Sequence, residues 1–305
     1  MIDIYQILNN NRYKNILVFG DLIVDSYVEV DTQRISSEFP IPVYEKHNNK
    51  KINLGGAGNV LNNLKEFGCN PILISIVDKN YENKLIDTSN LINIEDSEYK
   101  NSVKTRYYSN NYQCFRLDDK LSYTMSNETI EKFKKKFNEI LDSKRVFEYV
   151  IISDYNTGII NSKLTKYLIE LCNKNNVKTL VDPKNCYDIY KNCTVIKPNK
   201  NDAEKFCNFK INSIEDAYRA CDIFIEKLNV QLCIITLSEK GSVYKSKFGK
   251  KDHIPCPIID DEHLLDVTGA GDTFISTFTV VLDYLDYTDC CKLCNIFCND
   301  VIKKQ

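Results

Sequence analysis

A chain of 305 residues with 43% hydrophobic side chains can bury the core of one large α/β domain, or of a domain with an appendage, and is too apolar for intrinsic disorder. Its 40 Lys and Arg against 42 Asp and Glu leave a formal net charge of −2, which lacks the electrostatic footprint of a nucleic-acid binder. No apolar run approaches the ~20 residues that span a bilayer, and the opening MIDIYQILNNNRYK lacks the regions of a secretory leader, so a cytoplasmic protein that binds neither membrane nor nucleic acid is expected.

In chain order, the first strand signal is ILVF at 16–19, a short continuous apolar run of the kind buried on both faces of a parallel sheet. The stretch 27–53 alternates instead, with Arg and polar residues interleaved, as an exposed β ribbon does. The glycine-rich LGGAGNV follows, then a second buried run, ILISIV at 72–77, and a second ribbon-like stretch at 103–117. From 127 to 141, Ile130, Phe133, Phe137, Ile140 and Leu141 fall on one side, while Lys132, Lys134, Lys135 and Lys136 fall mainly on the other, as in a helix with a solvated basic face. The runs at 150–152, 179–181 and 232–235 predict three more strands. Among them Ser162 is placed to cap a helix carrying Leu164, Tyr167, Leu168, Leu171 and Cys172, and Ser213 with Asp216 resembles a capping box opening a helix through Leu228. After Phe274 the run ISTFTVVLDYL can continue as a helix. This alternation predicts the α/β class: a doubly wound, mainly parallel sheet flanked by helices. The two ribbon segments, about 26–53 and 98–118, form a small β lid beside the sheet's ligand edge. With no repeat and no low-complexity linker, residues 1–305 read as a single domain.

Nine of the thirteen cysteines are scattered singly, which suits a reducing compartment. Cys290, Cys291, Cys294 and Cys298 contain one CxxC, but their i, i+4, i+8 spacing is also one face of a helix. No second CxxC or CxxH pair completes four ligands, so they are expected to be packed small side chains. Only ten glycines are present, and five of them sit in two motifs: Gly55, Gly56 and Gly58 in LGGAGNV, and Gly269 and Gly271 in DVTGAGDTF.

The second motif carries the strongest chemical signal. Gly269, Ala270 and Gly271 let successive backbone N–H groups converge at a helix N-terminus, which suits an oxyanion or phosphate. Asp272 then lies in the first turn, placed to take a proton from an attacking hydroxyl. The alternative is a glycine-rich turn whose Asp is stabilised by the helix dipole. A P-loop string GxxxxGK[ST] does not occur, and GxGxxG fails at its third glycine in both motifs. A nicotinamide site keeps only a strand before the first motif and Asp78 after it.

GDxxxD at 20–25, GGAGN at 55–59, DPK at 182–184, PNxxD at 198–202 and DVTGAGDTF at 266–274 occur in the order seen in the ribokinase-like (PfkB-type) carbohydrate kinases, which the chain resembles over nearly its whole length. GDLIVDSY, TQRISSEFPIPV, VKTR, SDYNTG and KPNKNDAE resemble, more narrowly, the kinase domains that phosphorylate heptose 7-phosphate at C1. The resemblance implies a ribokinase-like fold, ATP and Mg²⁺ as cofactors, a sugar phosphate as substrate and a homodimer through the β lid. It implies Asp272 as the base, with Gly269, Ala270 and Gly271 as the anion hole. Asn199, Asp202, Thr236, Ser238, Gly241 and Lys184 would border the nucleotide, with Asp202 reaching Mg²⁺ through water. Asp25, Arg34, Gly56, Asn59, Arg106, Gln113, Arg116 and Asp154 would face the sugar phosphate or the transferred phosphoryl group. Three arginines, Arg34, Arg106 and Arg116, would converge from two lid segments on a phosphate, although each also suits an ordinary polar strand face. Two positions depart from the pattern: Asp202 stands where the family has Glu, and Thr157 replaces a Lys. Another sugar or nucleoside kinase of this family, or a catalytically impaired sugar-phosphate binder, fits the same motifs.

Overall fold

Strand β1 (Asn15–Gly20) shows why the sheet is covered on both sides: Ile16 and Val18 are buried in one apolar cluster and Leu17 and Phe19 in another. Its period of two sends alternate side chains to opposite faces, and both faces are apolar. The computed structural model describes residues 14–81, 88–110, 112–119, 121, 123–142, 146–185, 187–257 and 268–303. Asp266 and Val267 of the second glycine motif, Cys186 and residues 82–87 lie outside them.

The larger sheet runs in the order β13 (Lys251–Ile254), β12 (Ser242–Ser246), β11 (Leu232–Thr236), β10 (Val195–Ile196), β9 (Lys178–Asp182), β8 (Tyr149–Ser153), β1, β4 (Asn70–Ser75), β5 (Leu91–Asn93). All neighbours are parallel except β12 and β13, which return antiparallel at one edge. On one face lie α2 (Asn127–Leu141), α3 (Ser162–Lys174), α4 (Lys200–Cys207) and α5 (Ile214–Leu228), whose Phe133, Leu168, Ala203 and Phe224 share the cluster of Leu17 and Phe19. On the other lie α1 (Ala57–Glu66), α6 (Ala270–Val281) and α7 (Tyr287–Lys303), which contribute Leu61, Phe278 and Cys294 to the cluster of Ile16 and Val18. This is the expected ribokinase-like, doubly wound arrangement.

One local expectation is corrected. Asn161, not Ser162, caps α3: it has extended backbone and its side chain accepts from the Leu164 N–H, whereas Ser162 is already helical. The run ISTFTVVLDYL, 275–285, continues the helix as expected only as far as Val281, where α6 stops. The Ser213–Asp216 capping box is present in both directions. Cys290, Cys291 and Cys294 are buried on α7 against α6, and Cys298 Sγ donates to the Ala270 carbonyl at 3.1 Å. No helix among the described residues is long and apolar enough to cross a membrane.

The smaller sheet runs β3 (Pro42–Gly56), β2 (Leu22–Ile35), β6 (Ser102–Ser109), β7 (Tyr112–Asp118), and takes in both ribbon-like stretches. Only Asp21 separates β1 from β2, so the chain passes from one sheet to the other within a single residue. That passage sets the smaller sheet against the carboxyl ends of the parallel strands, where ligands of open α/β sheets bind.

Candidate active site

Strands β1, β8, β9, β10 and β11 are parallel, so the residues that follow them emerge along one edge. Asp21, after β1, is buried and accepts from the backbone N–H groups of Tyr155 (2.7 Å), Thr157 (3.3 Å) and Ile159 (3.3 Å) and from the Thr157 hydroxyl (2.7 Å). It thereby fixes the loop after β8. Thr157 is thus a buried partner of Asp21. Burial, and then the Asp154 carboxylate, push the Asp21 pKa up to about 6.

Asp272 lies in the first turn of α6, buried. Asn59 Nδ2, from the first turn of α1, donates to its Oδ2 at 2.9 Å, and Tyr155 Oη donates to its Oδ1 at 2.7 Å. Burial raises its pKa from 3.8 to about 6 against these two hydrogen bonds, with Asp182 adding to the rise and Lys197 opposing it. A carboxylate so poised is largely ionised at neutral pH and basic enough to accept a proton.

The amide-rich start of α6 depends on Gly269. This N-cap is left-handed (φ 82°, ψ −6°) and has no side-chain cap, and a Cβ on it would come 2.9 Å from Asn59 Nδ2. Gly271 lies within α6 and is not among the glycines of positive φ. A Cβ at 271 would lie 3.6 Å from Asp182 Oδ2 and 3.7 Å from Lys197 Nζ, in ordinary contact. Those two groups form an ion pair at 3.0 Å beside the helix start.

From the smaller sheet, Asp25 and Arg106 form a buried ion pair at 2.6 Å, and Arg106 Nη2 donates to Thr268 Oγ1 at 3.3 Å, tying the sheet to the residue before Gly269. The other two arginines do not converge on it. Arg116 lies opposite Arg106 in register but is exposed and paired with Asp118 at 2.8 Å. Arg34 is exposed and pairs with Val43, five residues beyond Glu29, where β2 and β6 part, or roughly 16 Å along the strand. Gln113 is exposed at the β6–β7 turn, accepting from Tyr108 Oη. Gly56 is the N-cap of α1, beside the Tyr155 ring.

A second cluster lies along the same edge. Asn199 caps α4 by accepting from the Asp202 N–H at 2.9 Å, and its amide donates to Asp202 Oδ2 at 2.7 Å. Lys184 Nζ approaches that oxygen at 3.3 Å, while the Lys184 N–H donates to Asp154 Oδ2 at 3.2 Å. Thr236 bridges to Asn199. Ser238 and Gly241 shape the following turn with φ of 54° and 83°. The Asp202 carboxylate is a hard oxygen donor, which suits Mg²⁺ held partly through water.

Sequence reasoning passed over Tyr155, Asp21, Asp182 and Lys197. Each lies inside a motif already singled out (SDYNTG, GDLIVDSY, VDPK, KPNKNDAE), so position in those strings was the available signal.

A family model described as pfkB family carbohydrate kinase matches residues 14–299. The bifunctional protein HldE of Helicobacter pylori strain P12 is 34% identical over 307 residues, covering 96% of this chain and 64% of that protein. HldE of Aliarcobacter butzleri is 35% identical over 306 residues, covering 96% of this chain and 62% of that protein. The chain thus spans less than two thirds of these relatives. Phosphofructokinase-2 from Escherichia coli in complex with fructose-6-phosphate superposes with a TM-score of 0.75 at 13% identity, covering 96% of this chain and 94% of that one. Arabidopsis thaliana ribokinase complexed with ribose and ATP superposes with a TM-score of 0.68 at 15% identity, covering 95% and 93%. The chain belongs to the pfkB family of carbohydrate kinases.

Proposed function

We propose that this pfkB-family chain is a single kinase domain over residues 1–305 that transfers the γ-phosphoryl group of ATP to the C1 hydroxyl of a heptose 7-phosphate, giving the 1,7-bisphosphate, in the cytoplasm. The observation that carries this reading is Asp272: a buried carboxylate with its pKa near 6, gripped by two donors, one residue from the glycine-rich helix start. Asp272 takes the proton of the C1 hydroxyl as that oxygen attacks the γ-phosphorus. The bond from phosphorus to the β–γ bridging oxygen breaks, and ADP leaves. The amides of 269–271 receive the developing phosphoryl charge. Mg²⁺ held near Asp202 would neutralise charge on the nucleotide phosphates. Asn199, Asp202, Lys184, Thr236, Ser238 and Gly241 border the nucleotide in this reading, and Asp25, Arg106, Asn59 and Asp154 border the sugar. The heptose rests on the narrower sequence resemblance. A groove of about 700 Å³ on the smaller sheet, lined by Tyr27, Glu29, Lys50, Lys51 and Tyr108, adds cationic surface for a phosphorylated sugar.

ADP release with Mg²⁺ and ATP, across heptose 7-phosphate, fructose phosphates, ribose and adenosine, tests the reading. Preferred turnover of heptose 7-phosphate supports it, and preference for another acceptor reassigns the substrate. No turnover with any member, together with thermal stabilisation by one of them, points to a sugar-phosphate binder.

Gly271→Val separates anion binding from folding. Because a Cβ at 271 meets nothing closer than 3.6 Å, the fold should be retained, with a melting temperature near that of the wild type. The branched side chain projects where phosphate would approach the amides, and loss of one charge-assisted hydrogen bond corresponds to roughly tenfold or more in ATP Kd. Unchanged ATP affinity in a folded variant removes the anion role from this turn.

The smaller sheet and its β2–β3 connection also expose Ile35 (61%), Phe39 (72%), Ile41 (57%) and Leu117 (54%), more apolar surface than a solitary ribbon needs. In this reading it is a lid that pairs with a second copy. Sedimentation should show a dimer that Phe39→Asp with Ile41→Asp converts to monomer, and a wild-type monomer would dismiss the pairing.

A further inference from the structure

We infer that Tyr155 is a positioning residue for the transfer: its hydroxyl, set in place by the loop that Asp21 holds, keeps the Asp272 carboxylate ionised and aimed at the acceptor. The inference rests on the reading of Asp272 as base. Tyr155 Oη and Asn59 Nδ2 donate to different oxygens of Asp272, at 2.7 and 2.9 Å, so together they fix the plane of the carboxylate. With only one donor the group is free to turn about that bond, and less opposes the cost of its burial.

Three features prepare Tyr155 for this task. Its N–H donates to Asp21 Oδ2 at 2.7 Å, which pins the backbone. Gly56 lets the ring lie close, since a Cβ there would be 3.3 Å from Tyr155 Cδ2. Burial, followed by the Asp272 charge, raises the phenol's pKa well above 10, so it remains a donor throughout the working range. The charged surroundings come from several elements. Asp182 and Lys197 act on Asp272 with opposite sign, and Asp182 and Asp25 also face Tyr155. Lys104 Nζ lies 5.2 Å from the centre of the Tyr155 ring, and the Cys298 thiol of α7 feels the Asp272 charge. None of these donates the hydrogen bond that Tyr155 supplies at Oδ1.

Tyr155→Phe keeps the ring and removes that one bond. A hydrogen bond to a buried carboxylate corresponds to about one to two pKa units, and the shift is upward because the bond favours the charged form. The acid limb of kcat/KM, set near 6 by free Asp272, should move up by that amount. Activity relative to the wild type should then be roughly tenfold lower or more at pH 5 than at pH 9. A readout without substrate is ¹³C NMR titration of the Asp carboxyls, with the Asp272 signal assigned by its absence in Asp272→Asn. Upward movement of that titration in Tyr155→Phe supports the inference. An unmoved titration, or a loss of activity equal at every pH, overturns it. A moved titration in a protein that phosphorylates no sugar upholds the hold of Tyr155 on Asp272 and overturns the kinase reading instead.

Discussion

Asp272→Asn should turn over at least ~10²-fold more slowly than the wild type, the usual cost of losing a general base, while gaining stability above pH 6. Both effects come from one property of the site. The folded-state pKa of Asp272, about 6, lies above its ordinary 3.8 because the group is buried. A carboxylate with a raised pKa binds its proton more tightly in the folded than in the unfolded chain. Stability is therefore lost as pH rises from 3.8 to 6 and the buried charge forms. A rise of about two units, at about 1.4 kcal/mol each, sets an upper bound of roughly 3 kcal/mol. Asn carries no charge, so the variant avoids this cost at pH 7.5 and gains nothing below pH 3.8. Its Oδ1 can accept from Tyr155 while a flipped Asn59 amide accepts from its Nδ2. Thermal melts at pH 3.5 and 7.5, with kcat measured at the higher pH, check both parts. Near-normal turnover, or a stability gain confined to acid pH, would contradict the assignment.

Much of the fold was legible because it is written locally. Continuous apolar runs marked β1, β4, β8, β9 and β11, and a period near 3.6 with Ser–x–x–Asp marked α5. The two-residue β10 and the short β5 are too brief for any periodicity to register, while β12 and the edge strand β13 mix Lys with apolar residues. The site divides in the same way. The amides of 269–271 and Asp272 share one string and were found together. The contacts that tune them join residues far apart in the chain: Tyr155 to Asp272 across 117 positions, and Asp25 to Arg106 across 81. Register decides such contacts, and a sequence pattern of alternating residues does not reveal register. For that reason three arginines looked equivalent, although only Arg106 is buried beside the site.

Asp25→Ala should destabilise the protein by about 3 kcal/mol or more, although it deletes only a small polar side chain. The Arg106 guanidinium stays protonated at every accessible pH. Its side chain is 3% exposed and that of Asp25 10%, so water reaches the pair poorly. What remains near the cation after the substitution includes the Thr268 hydroxyl at 3.3 Å and the Tyr27 ring at 5.4 Å, and neither carries a counter-charge. The charge therefore stays buried without the carboxylate that offset its desolvation. Arg116 and Asp118 provide an internal control, because Arg116 is the register partner of Arg106 and its ion pair is 47% and 41% exposed. Asp118→Ala should cost no more than about 1 kcal/mol. Adding Arg106→Met to Asp25→Ala should recover much of the lost stability, since the buried charge leaves with its carboxylate and the apolar side chain keeps most of the volume. Urea denaturation of the four proteins decides the matter. If Asp25→Ala costs no more than Asp118→Ala, or if the double variant is as unstable as the single one, the buried charge is not what binds the smaller sheet to the start of α6.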